Sequence, residues 1–289
     1  MRKLIFLLFS IILTIFFSFN SLEAISIIRV DQAKIRIIVP PGSSKTGVIN
    51  IDNTTDYPKY IKVYLEDWYY LPSADGSKEF LPAGTTELSC ANWISFYPAE
   101  FTIPPFGRQK INYTVRVPQE AKGGHYAILF IEESGAKAPN EEGVSVGLAI
   151  RVGCLFYVEP EGAIKRTAQL YNLNIEKNSR DKQIEISVDF KNTGNTDIST
   201  SGNFSLIDKK GMVYARGEFN DAYTFCGDTA KLTATWKKPI PKGRYDLVIT
   251  LDLGRALEEL RLGRGPIIVK EAEIEIDNNG EVIKVGDLR

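Results

Sequence analysis

The hydrophobic pattern of this chain changes character once, near residue 25. Before that point a basic start, Met1-Arg2-Lys3, leads into residues 4–19, which are almost wholly apolar, and then into a polar run that ends on Ala24. This is the layout of a secretory signal peptide over residues 1–24, with cleavage expected after Ala24. An uncleaved anchor is the alternative, although the apolar run falls short of the ~20 residues that span a bilayer. Past residue 25, apolar and polar residues alternate in short runs broken by Gly, Pro, Asn and Asp, as they do in half-buried strands. The alternation predicts strands over 25–30, 34–39, 45–52, 59–70, 94–97, 100–103, 109–117, 125–133 and 145–159. A second series is predicted over 168–176, 183–191, 202–208, 212–218, 230–237, 244–252 and 267–277. Only 255–262 reads as helical. Many short strands with regular turn signals specify an all-β sandwich or barrel.

An internal repeat divides the chain. Residues 48–56 read VINIDNTTD and residues 188–197 read VDFKNTGNTD. Farther along, 117–126 read VPQEAKGGHY and 238–245 read KPIPKGRY. The two signals recur in the same order, which implies two tandem immunoglobulin-like β-sandwich domains. Tyr126 and Tyr245, each opening a late strand, suit corner tyrosines whose hydroxyls bond back to upstream backbone. The junction is expected at Glu159-Pro160-Glu161-Gly162-Ala163, where Pro ends a strand and Gly relaxes the backbone. The expected organisation is a leader over 1–24, a first domain over 25–162 and a second over 163–289.

Composition narrows the functional classes. The 289 residues are 44% apolar, enough for two cores, and the net charge of −1 gives no bulk attraction to nucleic acid. Membrane contact is expected only through the leader. His125 is the single histidine, so a His-based metal cage is excluded and any Ser-His-Asp triad would have to use it. Glu132 and Glu133 are adjacent in a predicted strand, so they point to opposite faces and cannot share a substrate. Glu141-Glu142 and Glu258-Glu259 read as solvated loop charges. No phosphate-binding Gly loop occurs. The Asp277-Asn-Asn-Gly-Glu281 run reads as a hairpin turn and not as a calcium loop. The chain is expected to be no enzyme and to carry no cofactor or metal. The aromatic residues Trp68, Tyr69, Tyr70, Trp93, Phe96, Tyr97 and Phe106 read as sandwich core in preference to a sugar platform. Cys90, Cys154 and Cys226 are an odd number; Cys90 and Cys154 could pair, or could be buried free thiols. Asn53, Asn112 and Asn203 sit in glycosylation sequons to which no function is assigned.

Residues 25–160 resemble the N-terminal domain of the PapD-like periplasmic pilus-assembly chaperones. The likeness is carried by Arg36-Ile-Ile-Val-Pro-Pro-Gly42, by Val48 to Thr54, by Phe96 to Ile111 and by Val144 to Pro160 with its Leu155-Phe156-Tyr157 segment. The second half resembles a generic bacterial Ig-like or CARDB-like module through Asn192-Thr193-Gly194-Asn195 and Gly243-Arg244-Tyr245. The resemblance implies an exported, periplasmic or surface-located protein that lends a strand to an extended segment of a pilin-like or other envelope subunit. Val144, Val146, Leu148, Ile150 and Val152 alternate with small or polar residues and would form that edge; the alternative is that they pack the domain's own core. The family also anchors its partner's terminal carboxylate with two basic residues in the cleft. Arg36 matches the first. Cys154 stands in place of the second, and Arg151 could replace it only across a bulge. A non-enzymatic envelope adhesion or wall-binding module is the other reading.

Overall fold

Alternate burial along the strands sets the layers. The computed structural model describes residues 28–138, 146–177, 183–237, 240–263 and 265–289; the leader and Val144 lie outside them. The first sheet orders β1 (Arg29–Val30), β3 (Ser44–Asp52), β8 (Arg108–Arg116) and β6 (Ile94–Tyr97). It faces a sheet ordered β2 (Lys34–Val39), β10 (Val146–Pro160), β9 (His125–Ala138), β4 (Lys59–Tyr70) and β5 (Lys78–Pro82), with β7 (Glu100–Ile103) on β4. Ile49, Ile51, Ile111 and Val115 from one sheet meet Ile37, Ile61, Val63, Leu129, Ile131 and Phe156 from the other in a single core. Burial of this kind is the main favourable term in folding, and period 2 is what delivers it to one face.

The second unit repeats the plan. A sheet of β11 (Ala168–Lys177), β12 (Ile184–Asn192) and β16 (Thr229–Trp236) covers a larger one. That one orders β14 (Val213–Glu218), β13 (Ile198–Asp208), β17 (Gly243–Asp252), β18 (Ile267–Ile276) and β19 (Val282–Val285), with β15 (Ala222–Thr224) on β13. Ile186, Val188, Phe190, Phe204, Leu206, Leu247, Ile249 and Ile274 fill its core. The two units thus form the tandem β-sandwiches that the repeat implied. The repeated Asn has one job in both. Asn53 Nδ2 donates to the carbonyls of Tyr57 at 2.7 Å and Pro104 at 3.0 Å, while its Oδ1 accepts the Thr55 N–H at 3.0 Å. Asn192 Nδ2 donates to the Thr196 carbonyl at 2.9 Å and its Oδ1 accepts the Gly194 N–H at 3.0 Å. Both side chains are buried, which also withdraws the Asn53 sequon from solvent.

Several expectations need adjustment. β5, β15 and β19 were not anticipated: the first ends in Pro, the second has three residues, and the third follows the Asp277–Glu281 turn as a hairpin arm. β13 begins at Ile198 and not at 202: Ser199 and Thr200 are polar yet buried, and both pair with β15 along the strand edge. The predicted helix shortens to α1 (Arg255–Glu259). Of the expected strand at 25–30, the described residues hold only Arg29–Val30.

A buried ion pair joins two neighbouring strands of the six-stranded sheet. Lys59 on β4 meets Glu133 on β9, with Nζ 2.7 and 2.6 Å from the two carboxylate oxygens. Glu132 points to the opposite face and accepts the Tyr64 hydroxyl at 2.6 Å, as strand alternation requires. Removing one partner of a buried pair strands the other charge, whereas replacing both with apolar groups is often neutral. Lys59→Met is therefore expected to cost about 3–5 kcal/mol, and Lys59→Met with Glu133→Leu is expected to recover most of that loss. Urea denaturation of the two variants checks this; equal losses would contradict it.

Candidate functional site

The site is built on the outer face of the six-stranded sheet. Alternation that sends Val63 inward sends Trp68 and Tyr70 of β4 outward, along with Tyr126 and Phe130 of β9 and Tyr157 of β10. Trp68, Tyr70 and Tyr126 are nevertheless buried, with Phe225 of the second unit against them, while Phe130 lies against Phe80 and Arg151 of its own unit. The Phe225 ring stacks on Tyr126 at 4.3 Å and lies 4.8 Å from Tyr70 and 5.2 Å from Trp68. Trp68 and Tyr70 therefore belong to the contact between the units and not to a sandwich core. Tyr97 and Phe106, 75% and 72% exposed, belong to neither. Lys78 completes the cluster, its ammonium 5.2 Å from the Tyr70 ring; burial, then the nearby Lys34 charge, depress its pKa.

Arg36 leaves β2 on this same face, opposite Tyr157 in register, and packs its guanidinium 4.5 Å over the Tyr157 ring. Asp197, the residue before β13, grips it with two hydrogen bonds of 3.0 and 2.7 Å, and Glu159 takes a further one. Arg166 reaches Glu159 from the other unit at 2.5 Å. The Arg36 and Asp197 side chains are 2% and 0% exposed. This corrects the expectation that Arg36 awaits a partner's carboxylate: the protein's own Asp197 occupies it. Desolvation opposes the Arg36 charge, and Asp197 and Glu159 outweigh desolvation, so the guanidinium stays protonated. Burial likewise pushes the Asp197 carboxyl up, but the charge and hydrogen bonds of Arg36 hold it below the usual carboxylate range.

Only one of the two repeated tyrosines turns a corner. Tyr245 donates its hydroxyl to the Pro241 carbonyl at 2.7 Å. The Tyr126 hydroxyl instead accepts the Asp197 backbone N–H at 2.6 Å, so the first copy of the motif has become a link between units. Gly124 adds an N–H to the Asn195 carbonyl at 2.8 Å, and Gly123, at φ 77, lies so close to that carbonyl that a Cβ would stand 2.5 Å from it. The repeat marks Tyr126 as a corner tyrosine opening a strand and Asp197 as a turn residue. Nothing in either segment alone said that they would meet.

The remaining predicted residues lie along β10. This strand pairs antiparallel with β9 from Val146↔Ala138 to Val158↔His125. Its other edge meets β2 in parallel only from Leu155↔Lys34 to Pro160↔Val39. The chain crosses to the opposite sheet at residues 31–33, where Asp31 donates its N–H to Asn50 on β3, so β2 cannot extend farther. Among the described residues, no strand covers the second edge of β10 over 146–154. Ile150 and Val152 are half-buried and share the parity of Cys154, Phe156 and Val158, which face the sandwich core. Arg151 faces the outer side, 4.0 Å over the Phe130 ring and 3.1 Å from Glu66. The bulge in this pairing falls between Leu148 and Ile150, before Arg151, so it does not carry Arg151 to Arg36. Six residues of strand, roughly 20 Å, separate Arg151 from Tyr157, and the two arginines form no common site.

The possible Cys90–Cys154 bridge is absent: Cys90, Cys154 and Cys226 are free thiols. Cys90 and Cys154 pack as small hydrophobes in the first core, and burial pushes the Cys154 thiol up to about 12. His125 packs against Trp93, the rings tilted with centroids 4.2 Å apart, and burial lowers its pKa. Among the described residues no group of three or more His, Cys, Asp or Glu could hold a metal ion, and no helix is long and apolar enough to cross a membrane.

No protein-family model matches this chain, and no curated protein matches it. Similar solved structures exist at low identity. The class 5 fimbriae chaperone CfaA is 14% identical, with a TM-score of 0.47 over 84% of this chain and 98% of that one. The CupB2 chaperone of Pseudomonas aeruginosa is 14% identical, with a TM-score of 0.40 over 85% and 98%. The CsuC–CsuE pre-assembly complex of Acinetobacter baumannii, a chaperone with a tip adhesion subunit, gives 12% identity and a TM-score of 0.42 over 84% and 97%. At these identities and scores the likenesses assign no function to the chain.

The Arg36–Asp197 link predicts a pH signature. A carboxyl held below its unfolded pKa of about 3.9 contributes stability that is fully present above that value and lost as pH falls through the folded pKa. Asp197→Asn is expected to cost about 3 kcal/mol or more at neutral pH and to flatten the acid limb of the stability curve. Denaturant titrations of both proteins between neutral pH and pH 2 check this. Parallel acid limbs would remove Asp197 from the account.

Proposed function

We propose that this protein is an exported, non-enzymatic assembly factor that receives an extended segment of an envelope or pilus subunit along the 146–154 edge of β10. This edge carries the reading: β10 has one set of ladder groups satisfied by β9, and among the described residues no strand meets the other set over 146–154. An exposed edge of this length is an aggregation hazard unless a strand is meant to cover it. The leader pattern supports passage to the periplasm or cell surface. The first and second units, taken as domains over 25–162 and 163–289, would present this edge beside a cleft whose closed end is the Arg36–Asp197 contact. Arg36 is already neutralised, so the client is held by backbone pairing and apolar side chains and not by a terminal carboxylate at that residue.

The sealed Arg36 also favours a second reading, a structural adhesion or wall-binding module in which the two units act as one rigid body. Amide exchange separates the two. In the free protein, alternate N–H groups over 146–154 are expected to exchange quickly. In complexes recovered from envelope extract they become protected, and Ile150→Asp reduces recovery at least tenfold with an unchanged melting temperature. Exchange that stays fast in the recovered complex would sink strand addition and leave the structural reading.

A further inference from the structure

The end of the second unit carries a feature that neither core nor the β10 edge uses. The β13–β14 hairpin turns through Asp208-Lys209-Lys210-Gly211-Met212, with Gly211 at φ 83. Asp208 Oδ1 accepts the N–H groups of Lys210 at 2.8 Å and Met212 at 2.9 Å, so this acid is committed to holding the turn. Lys209 and Lys210 are left exposed at the tip. Lys242, just before β17, and Arg244, at its start, come alongside. Together with Tyr214, Tyr245 and Pro241 they line an open cavity of about 370 Å³. Arg244 has a distant partner in Glu275 at 3.6 Å. Among the described residues, no carboxylate is ion-paired with Lys209, Lys210 or Lys242.

Apolar side chains stand beside these charges. Met212 is 61% exposed, Val213 38% and Tyr214 37%. Pairing with β13 skips Tyr214, since Ile207 opposes Val213 and Leu206 opposes Ala215, so the Tyr214 ring is re-aimed against Tyr245 at 5.2 Å. A protein of net charge −1 thus gathers exposed cations around an exposed apolar tip. A site for a small anion would bury and converge its donors. Here the cations fan outward around methionine and tyrosine, which suits a surface that is anionic at its face and apolar beneath.

We propose that the 208–214 hairpin and the 242–244 segment dock the protein on an anionic lipid surface. The lysines meet headgroup phosphates, while Met212 and Tyr214 enter the interfacial layer, where an amphipathic ring is at home. This departs from the expectation that only the leader contacts membrane. It is also independent of the β10 edge, which belongs to the other unit.

Vesicle co-sedimentation tests it, using residues 25–289, the form that export would release and that holds every described strand. The probes are vesicles of phosphatidylglycerol with phosphatidylethanolamine and vesicles of phosphatidylcholine alone. Binding is expected only to the anionic vesicles and is expected to weaken as salt rises. Each lysine near an anionic surface is worth about 1 kcal/mol, so Lys209→Gln, Lys210→Gln and Lys242→Gln together should lower partitioning roughly a hundredfold. The same change in charge on the first unit, Lys45→Gln, Lys62→Gln and Lys110→Gln, should leave it unchanged. Matched circular dichroism and melting establish that both variants fold. Equal binding to neutral vesicles, no binding to anionic ones, or equal losses in the two triple variants would overturn the proposal.

Discussion

One buried ion pair organises this molecule. Arg36 on β2 and Asp197 before β13 come from different sandwiches, and both side chains are removed from water. Burying two charges costs several kcal/mol apiece unless geometry and hydrogen bonding are nearly complete. The bidentate grip, the Glu159 contact and the Tyr126 hydroxyl on the Asp197 backbone supply that completeness. Such a set of bonds tolerates little rotation, so the joint between the units is held at one angle. The Phe225 ring, stacked on Tyr126 and pressed on Trp68 and Tyr70, closes the same contact with apolar area and ring geometry.

With that end closed, the six-stranded sheet has two different halves. Where β2 covers β10, alternate side chains are buried on both faces, inward by the first core and outward by the second unit. Where the chain has crossed to the other sheet, β10 has, among the described residues, a partner on one side only. A single strand is thereby a structural wall over residues 155–160 and an open edge over 146–154. The change comes from the position of a three-residue crossover and not from any change in the strand's own alternation. This is why the edge and the sealed arginine can coexist a few residues apart.

Most of the secondary structure was legible because burial on one face imposes period 2, and period 2 survives in the sequence. β2, β4, β6 and β7 match the alternation at both ends. The repeated Asn was legible as a turn residue, since its side chain bonds mainly to backbone nearby. The failures share a cause. Ser199 and Thr200 are strand residues that look like loop because they are polar although buried, and Trp68 looks like core because nothing in its own segment reveals Phe225. The Tyr126 corner failed in the same way: its expected partner was local, and its actual partner lies 71 residues away.

By itself the sequence determined that the chain is all-β, that it repeats, and which alternating positions, β10's among them, are apolar. It also limited the catalytic repertoire by supplying a single histidine. Only the tertiary structure decided what Arg36 binds, where β10 loses its second neighbour and which aromatics lie between the units. These are facts of pairing between distant segments. Side-chain periodicity records which face of a strand is buried, but it carries no record of which other strand, or which other unit, does the burying.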